Sequence, residues 1–66
     1  MLKGKISWYW VLDGSFAISL LIDHGISYKT RETKQPSGIE IGISEESDLI
    51  ARDLFTAANI NYNILK

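Results

Sequence analysis

Asp13 is the residue whose type and position best suit chemistry. It follows a segment of alternating apolar residues and precedes Gly14, Ser15 and a segment of helical periodicity. Ligands often meet backbone amides at such strand-to-helix turns, where the positive end of the helix dipole lies. A carboxylate there could bind a ligand ammonium group or a metal ion. The simpler interpretation is that Asp13 caps the helix and Gly14 provides the turn.

The other groups that could do chemistry favour structural roles. His24, the only histidine, falls at the end of the predicted first helix, where a cation stabilises the negative end of the dipole. Glu45, Glu46 and Asp48 fall in the first turn of the predicted second helix, where carboxylates offset the positive end. With one histidine and no cysteine, the sequence predicts no metal site, no cofactor and no Ser-His-Asp catalysis. We therefore expect a protein that is not an enzyme.

The composition indicates one small domain, residues 1–66. The chain has 66 residues, a net charge of −1 and no cysteine, so a thin core alone, or that core and a partner, must hold the fold. The near balance of seven basic and eight acidic residues argues against nucleic acid or an acidic membrane as a partner. No apolar run is long enough for a bilayer span and no signal-peptide pattern is present, so we expect a cytoplasmic location.

Hydrophobic periodicity predicts four strands and two helices. Gly25 and Asn59 are placed to end the helices in a left-handed conformation, and Ser44 is placed to cap the second helix. The predicted strands are a central strand at 6–12, a polar edge strand at 28–33, a one-sided strand at 39–43 and a final strand at 61–65.

An internal repeat indicates how these elements combine. Residues 20–28 align with residues 54–62 at an offset of 34, and each segment covers a helix end, a left-handed stop and a strand start. Two strand-helix-strand units interleave as β-α-β-β-α-β, which predicts an α+β, ferredoxin-like sandwich. In this arrangement strands one and three are central, the four-stranded sheet is antiparallel, and both helices cover one face.

The other face of the predicted sheet is open, and the sequence leaves two interpretations of it: an ordinary solvated face, or an interface with a second copy or a partner protein. If Trp8 and Trp10 point towards the helices, the alternation of side chains places the neighbouring residues on the open face. The expected interface residues are Tyr9, Val11, Lys29, Arg31 and Leu65, beside Ser7, Glu40, Gly42, Asn61 and Asn63. With Tyr9 as the one aromatic residue there, base stacking of the kind used by RNA-binding sheets is not expected.

Two stretches of the chain carry a resemblance to a known family. Residues 13–15, followed by residues 20–26, resemble the first half of an ACT domain, a small effector-binding module. Residues 39–43 and the helix that contains Ala51, Leu54 and Ala58 resemble its second half. The succession of a helix, a glycine and an isoleucine also resembles that of small PII-like signal-transducing proteins. The ACT resemblance implies a ferredoxin-like fold and an amino-acid-like ligand bound between paired subunits, at positions that match Asp13, Gly14 and Ser27.

Three hypotheses of function follow. The first is a non-enzymatic regulatory or binding module that forms a homodimer and senses a small, amino-acid-like metabolite. The second is a small phage or mobile-element protein that binds and inhibits a host protein complex. The third is a metal-dependent nuclease or hydrolase that uses Asp13.

Overall fold

The computed structural model describes residues 4–65 and contains four strands and two helices. In chain order the elements are β1 (Ile6–Val11), α1 (Gly14–Asp23), β2 (Tyr28–Arg31), β3 (Ile39–Ser44), a short 3-10 turn (Glu45–Ser47), α2 (Asp48–Ala57) and β4 (Tyr62–Leu65). Each helix has ten residues, and no helix in residues 4–65 has the length and apolar character needed to cross a membrane.

The four strands form one antiparallel sheet in the order β2-β3-β1-β4. The predicted α+β class is therefore confirmed, as is the central position of β1 and β3. In the longest pairing, Ile6 of β1 lies opposite Ser44 of β3 and Val11 lies opposite Ile39. This register decides which side chains of β1 share a face with which side chains of β3, because side chains alternate between the two faces.

Both helices end as the repeat predicts. At the end of α1, Gly25 has a φ of 68° and the amide of Ile26 donates to the carbonyl of Leu21 at 2.9 Å. At the end of α2, Asn59 has a φ of 61° and the amide of Ile60 donates to Phe55 at 2.9 Å. Both are Schellman caps, in which a left-handed residue turns the chain back so that the next apolar side chain reaches the core.

The start of α2 differs from the prediction. The 3-10 turn separates Ser44 from α2, so Ser44 is the last residue of β3 rather than the cap of the second helix. Three consecutive polar residues after Ser44 allow either a 3-10 or an α-helical first turn.

The core lies between the sheet and the two helices. Tyr9, at the centre of β1, is fully buried, and its ring lies 5.9 Å from the ring of Phe55 in α2 and 5.9 Å from that of Tyr62 in β4. The fully buried residues come from all these layers: Tyr9, Val11, Ala17, Leu21, Ile41, Ile43, Ala51 and Phe55. Because residues of α1 and α2 pack in one cluster with the same sheet face, both helices cover that face.

The predicted orientation of β1 is wrong. Tyr9 and Val11, expected on the open face, are 0% exposed in the core, and therefore neither can be an interface residue. Ser7 also lies on the helix side, opposite Ile43, while Trp8 and Trp10 lie on the open face. The physical reason is the register with β3, since Tyr9 lies opposite the core residue Ile41, whereas Trp8 lies opposite Gly42.

Candidate functional site

The open face of the sheet carries both tryptophans of the chain, and we call it the tryptophan face. The register with β2 and β4 places Lys29, Arg31 and Leu65 on this face, as expected from the sequence. Its members are Ile6, Trp8 and Trp10 of β1, Lys29 and Arg31 of β2, Glu40, Gly42 and Ser44 of β3, and Asn63 and Leu65 of β4. Neither helix covers this face.

Trp8 is held between the sheet backbone and a cation. A Cβ atom on Gly42 would lie 3.0 Å from Cη2 and Cζ2 of Trp8, so the benzo edge of the indole lies directly over the glycine. Arg31 lies over the ring, with its Cζ atom 3.8 Å from the ring centroid, and its Nε donates to Glu40 Oε1. The Arg31 side chain remains 48% exposed, so the outermost planar group at this point of the face is a guanidinium.

Trp10 is fixed by the loop between β2 and β3. Its Nε1 donates to the carbonyl oxygen of Ser37 at 3.0 Å. Gly38 follows with a φ of 92°, and a Cβ atom there would lie 2.5 Å from Trp10 Nε1 and 2.5 Å from the Val11 carbonyl oxygen. Only glycine fits this close approach. The same loop, together with Arg31, lines an open cleft of about 480 Å³ that borders the tryptophan face.

Charge is divided unevenly between the helices and the strands. Within residues 4–65, the helices and the turns that flank them carry six carboxylates (Asp13, Asp23, Glu45, Glu46, Asp48 and Asp53) against one cation, Arg52. The strands and the segments next to them carry four cations (Lys5, Lys29, Arg31 and Lys34) against two carboxylates, Glu32 and Glu40. The net charge of −1 therefore conceals a concentration of carboxylates on the helices, while the tryptophan face carries Lys29 and Arg31 against Glu40.

The three residues predicted to bind a ligand do not come together within one chain. The Asp13 carboxylate accepts a hydrogen bond from the amide of Phe16 at 3.2 Å, which makes it the N-cap of α1. Gly14 packs against the side chain of Ile39. Ser27 lies beyond the other end of α1, and ten helical residues span about 15 Å.

A partly buried polar contact, which the sequence does not predict, links β1 to α2. Arg52 Nε donates to the hydroxyl of Tyr9 at 3.1 Å, while its Nη2 donates to Asp48 Oδ2 at 2.7 Å. The spacing of Asp48 and Arg52, four residues apart on one helix, is the usual signal for such an ion pair. The link to Tyr9 spans 43 residues and has no local signal.

The remaining candidates for chemistry are engaged in the fold. His24 Nδ1 lies 2.9 Å from the Leu20 carbonyl oxygen, so the tautomer protonated there donates to the last turn of α1. Glu45 and Glu46 lie in the 3-10 turn and Asp48 is paired with Arg52. In the described part of the chain, no group of three or more His, Asp or Glu residues is arranged to hold a metal ion.

The comparisons with known proteins give no family. The chain matches no protein-family model, no curated protein and no solved structure. The resemblance to ACT domains and PII-like proteins accordingly stays a prediction, and the function has to be argued from the site.

Proposed function

We propose that this chain is a non-enzymatic binding domain of ferredoxin-like β-α-β-β-α-β topology whose partner binds on the tryptophan face. One observation carries the proposal: β1 directs both tryptophans away from the core, onto the side of the sheet that neither helix covers.

The side chains of this face are those of a binding surface. Tryptophan and arginine are enriched where proteins bind partners, because the indole ring gives much contact area for two torsions and the planar guanidinium both stacks and donates several hydrogen bonds. Here Trp8 and Trp10 lie along one strand, and Arg31 lies beside them with half of its side chain exposed. A four-stranded sheet without such a role is commonly polar on its solvent face.

The carboxylates proposed for catalysis support the non-enzymatic part of the proposal. Asp13 holds the first turn of α1 and Asp48 holds Arg52, so each has a structural role that explains its position. A general acid or base needs an approach to substrate in a site that shifts its proton affinity. The open sheet face offers aromatic and cationic groups instead, which bind by stacking and by charge.

The homodimer remains a specific version of this proposal, whereas an amino-acid-like ligand at Asp13, Gly14 and Ser27 is a competing one. Lys29, Arg31 and Leu65 lie on the face where a second copy would pack, whereas Tyr9 and Val11 do not. The site at Asp13, Gly14 and Ser27 is a separate surface at the ends of α1.

Amide and indole NMR spectra of the ¹⁵N-labelled chain test the proposal directly. The two indole N–H signals belong to Trp8 and Trp10, so both report on the tryptophan face. The probes are a protein dilution series, a mixture of the twenty amino acids and a ten-nucleotide oligonucleotide. We expect at least one probe to shift the two indole signals and the amides of Lys29 and Arg31, while the amide of Leu49, on the helix side, stays unchanged.

Shifts confined to Asp13, Gly14 and Ser27 would instead locate binding at the ends of α1 and overturn the proposal. A response confined to α2 would overturn it as well. The variant Leu49→Ala is the matched control, because Leu49 is 72% exposed on the helix side and contributes nothing to the tryptophan face.

A further inference from the structure

We propose that the occupant of the tryptophan face is a single-stranded nucleic acid, with unpaired bases stacked on Trp10 and on the Arg31–Trp8 pair and with Lys29 against the phosphates. This inference rests on the proposed function, because it names the ligand of the same face.

The geometry provides two neighbouring planar platforms. Trp8 and Trp10 are two residues apart on one strand and point to the same side, so their Cα atoms lie about 7 Å apart. That is about twice the rise of 3.4 Å per nucleotide in a stacked strand, so adjacent bases would be splayed rather than stacked on each other. Splayed, unpaired bases are the form in which proteins bind single strands on aromatic rings and on guanidinium planes.

The Arg31 guanidinium is already arranged as one of these platforms. It lies 3.8 Å from the centroid of the Trp8 ring and is held there by Glu40. A base can stack on the exposed side of the guanidinium without displacing it. The second platform, Trp10, has its Nε1 occupied by Ser37, which fixes the position of the ring before any ligand arrives.

The distribution of charge selects the sheet side for an anion. Six carboxylates on the helices and their flanking turns would repel a phosphate backbone, whereas Lys29 and Arg31 lie on the tryptophan face beside a single carboxylate, Glu40. The sequence disfavours nucleic acid on three grounds: Tyr9 as the one aromatic residue of the expected face, the lack of an aromatic-rich signature like that of RNA-recognition motifs, and the negative net charge. The first premise is wrong, because Tyr9 is buried and two tryptophans take its place. The net charge is that of the whole chain, whereas the tryptophan face itself carries two cations, Lys29 and Arg31, against one carboxylate, Glu40.

Fluorescence anisotropy at 20 mM salt tests the inference. The fluorescein-labelled probes are ten-nucleotide rU, ten-nucleotide dT and a blunt duplex of the same length. We expect both single strands to bind more tightly than the duplex, and the ratio of rU to dT affinity reports which of the two is preferred. Trp10→Ala should weaken single-strand binding roughly 5- to 150-fold, the loss of one stacked base at about 1–3 kcal/mol. Trp10→Phe keeps a ring and should stay within a few-fold of the parent.

Lys29→Ala is the second variant, because Lys29 is exposed on the edge strand β2 and its side chain can be removed without unfolding the chain. It should lower the salt dependence, log K against log[salt], by about 0.7, which is the value of one phosphate contact on a single strand. Leu49→Ala should leave both the affinity and this slope unchanged.

Equal binding of duplex and single strands, or no binding at 20 mM salt, overturns this inference. If oligonucleotides fail while the indole signals of Trp8 and Trp10 shift with amino acids or with protein concentration, the proposed binding face stands and only the ligand class is wrong. If oligonucleotides bind but perturb α2 and leave the indole signals unmoved, both proposals fail.

Discussion

Replacing Tyr9 with leucine tests the orientation of β1, on which the candidate site depends. Tyr9 is fully buried, lies against the rings of Phe55 and Tyr62, and accepts a hydrogen bond from Arg52. Trp10→Leu is the matched change on the opposite face of the same strand. Had the sequence-based orientation been right, Trp10 would be the core residue and Tyr9 the surface residue.

The structure gives a magnitude for each change. Leucine at position 9 loses the hydrogen bond from Arg52, about 1 kcal/mol, and two edge-on ring contacts at about 0.5–1.5 kcal/mol each. The expected loss is therefore about 2–4 kcal/mol. Leucine at position 10 loses the exposed bond to Ser37 and part of a half-covered ring, about 1 kcal/mol. A domain of this length has a total stability of about 3–10 kcal/mol, so the difference is large.

Urea unfolding followed by far-ultraviolet circular dichroism measures both variants, because this signal does not depend on the tryptophans themselves. Each kcal/mol corresponds to a change of about 4–8 °C in Tm for a domain of this size, so thermal unfolding gives an independent ranking. We expect the free energy of unfolding to fall more for Tyr9→Leu than for Trp10→Leu. The reverse order would place Trp10 in the core and refute both the orientation of β1 and the site built on it.

Two further substitutions test the loop and the cap beside this face. Gly38→Ala should lower the free energy of unfolding by more than about 2 kcal/mol, because the new Cβ meets Trp10 Nε1 and a backbone carbonyl. Gly25→Ala is the comparison: its new Cβ has nothing within 4 Å, so it should cost only the left-handed backbone strain, about 1–2 kcal/mol. Equal losses in thermal unfolding would contradict the close approach at Gly38. Asp13→Ala should cost about 1 kcal/mol through the lost cap on Phe16, while Asp13→Asn should be nearly neutral. An Asn variant as unstable as the Ala variant would show that Asp13 does more than cap α1.

The ends of the helices were predictable because their cause is local. Gly25 and Asn59 accept a positive φ at low cost, and the isoleucine that follows each of them completes the cap by entering the core. The Asp13 cap was predictable for the same reason, since a carboxylate before a helix has an amide within reach. The strand order followed from interleaving two strand-helix-strand units, because the rules for connecting strands determine the order without reference to individual side chains.

The orientation of β1 was not predictable from its own residues. Both of its faces are apolar and aromatic, so a period of two identifies the strand without identifying the inward face. Which face of β1 points to the core depends on β3, 30 or more residues later in the sequence, where Ile41 opposes Tyr9 and Gly42 opposes Trp8. The hydrogen bond from Arg52 to Tyr9 was likewise not predictable from the local sequence, because it depends on a contact between residues 43 positions apart.

The pairing of Arg31 with both Trp8 and Glu40 explains how an aromatic face can stay exposed without promoting self-association. Uncovered tryptophans on a sheet face favour self-association, because large apolar patches bury themselves against one another. Here the guanidinium covers the Trp8 ring and Glu40 holds it there, so Trp8 shows little bare apolar surface, while Lys29 and Arg31 against Glu40 leave the face with an excess of positive charge. Since Arg31 is still 48% exposed, the cover is itself a planar group that a base can contact. The Arg31 guanidinium thus limits self-association of the face and also provides a surface on which a ligand can stack. For this reason Arg31 and Trp10, rather than Asp13, are the residues on which the function should be tested.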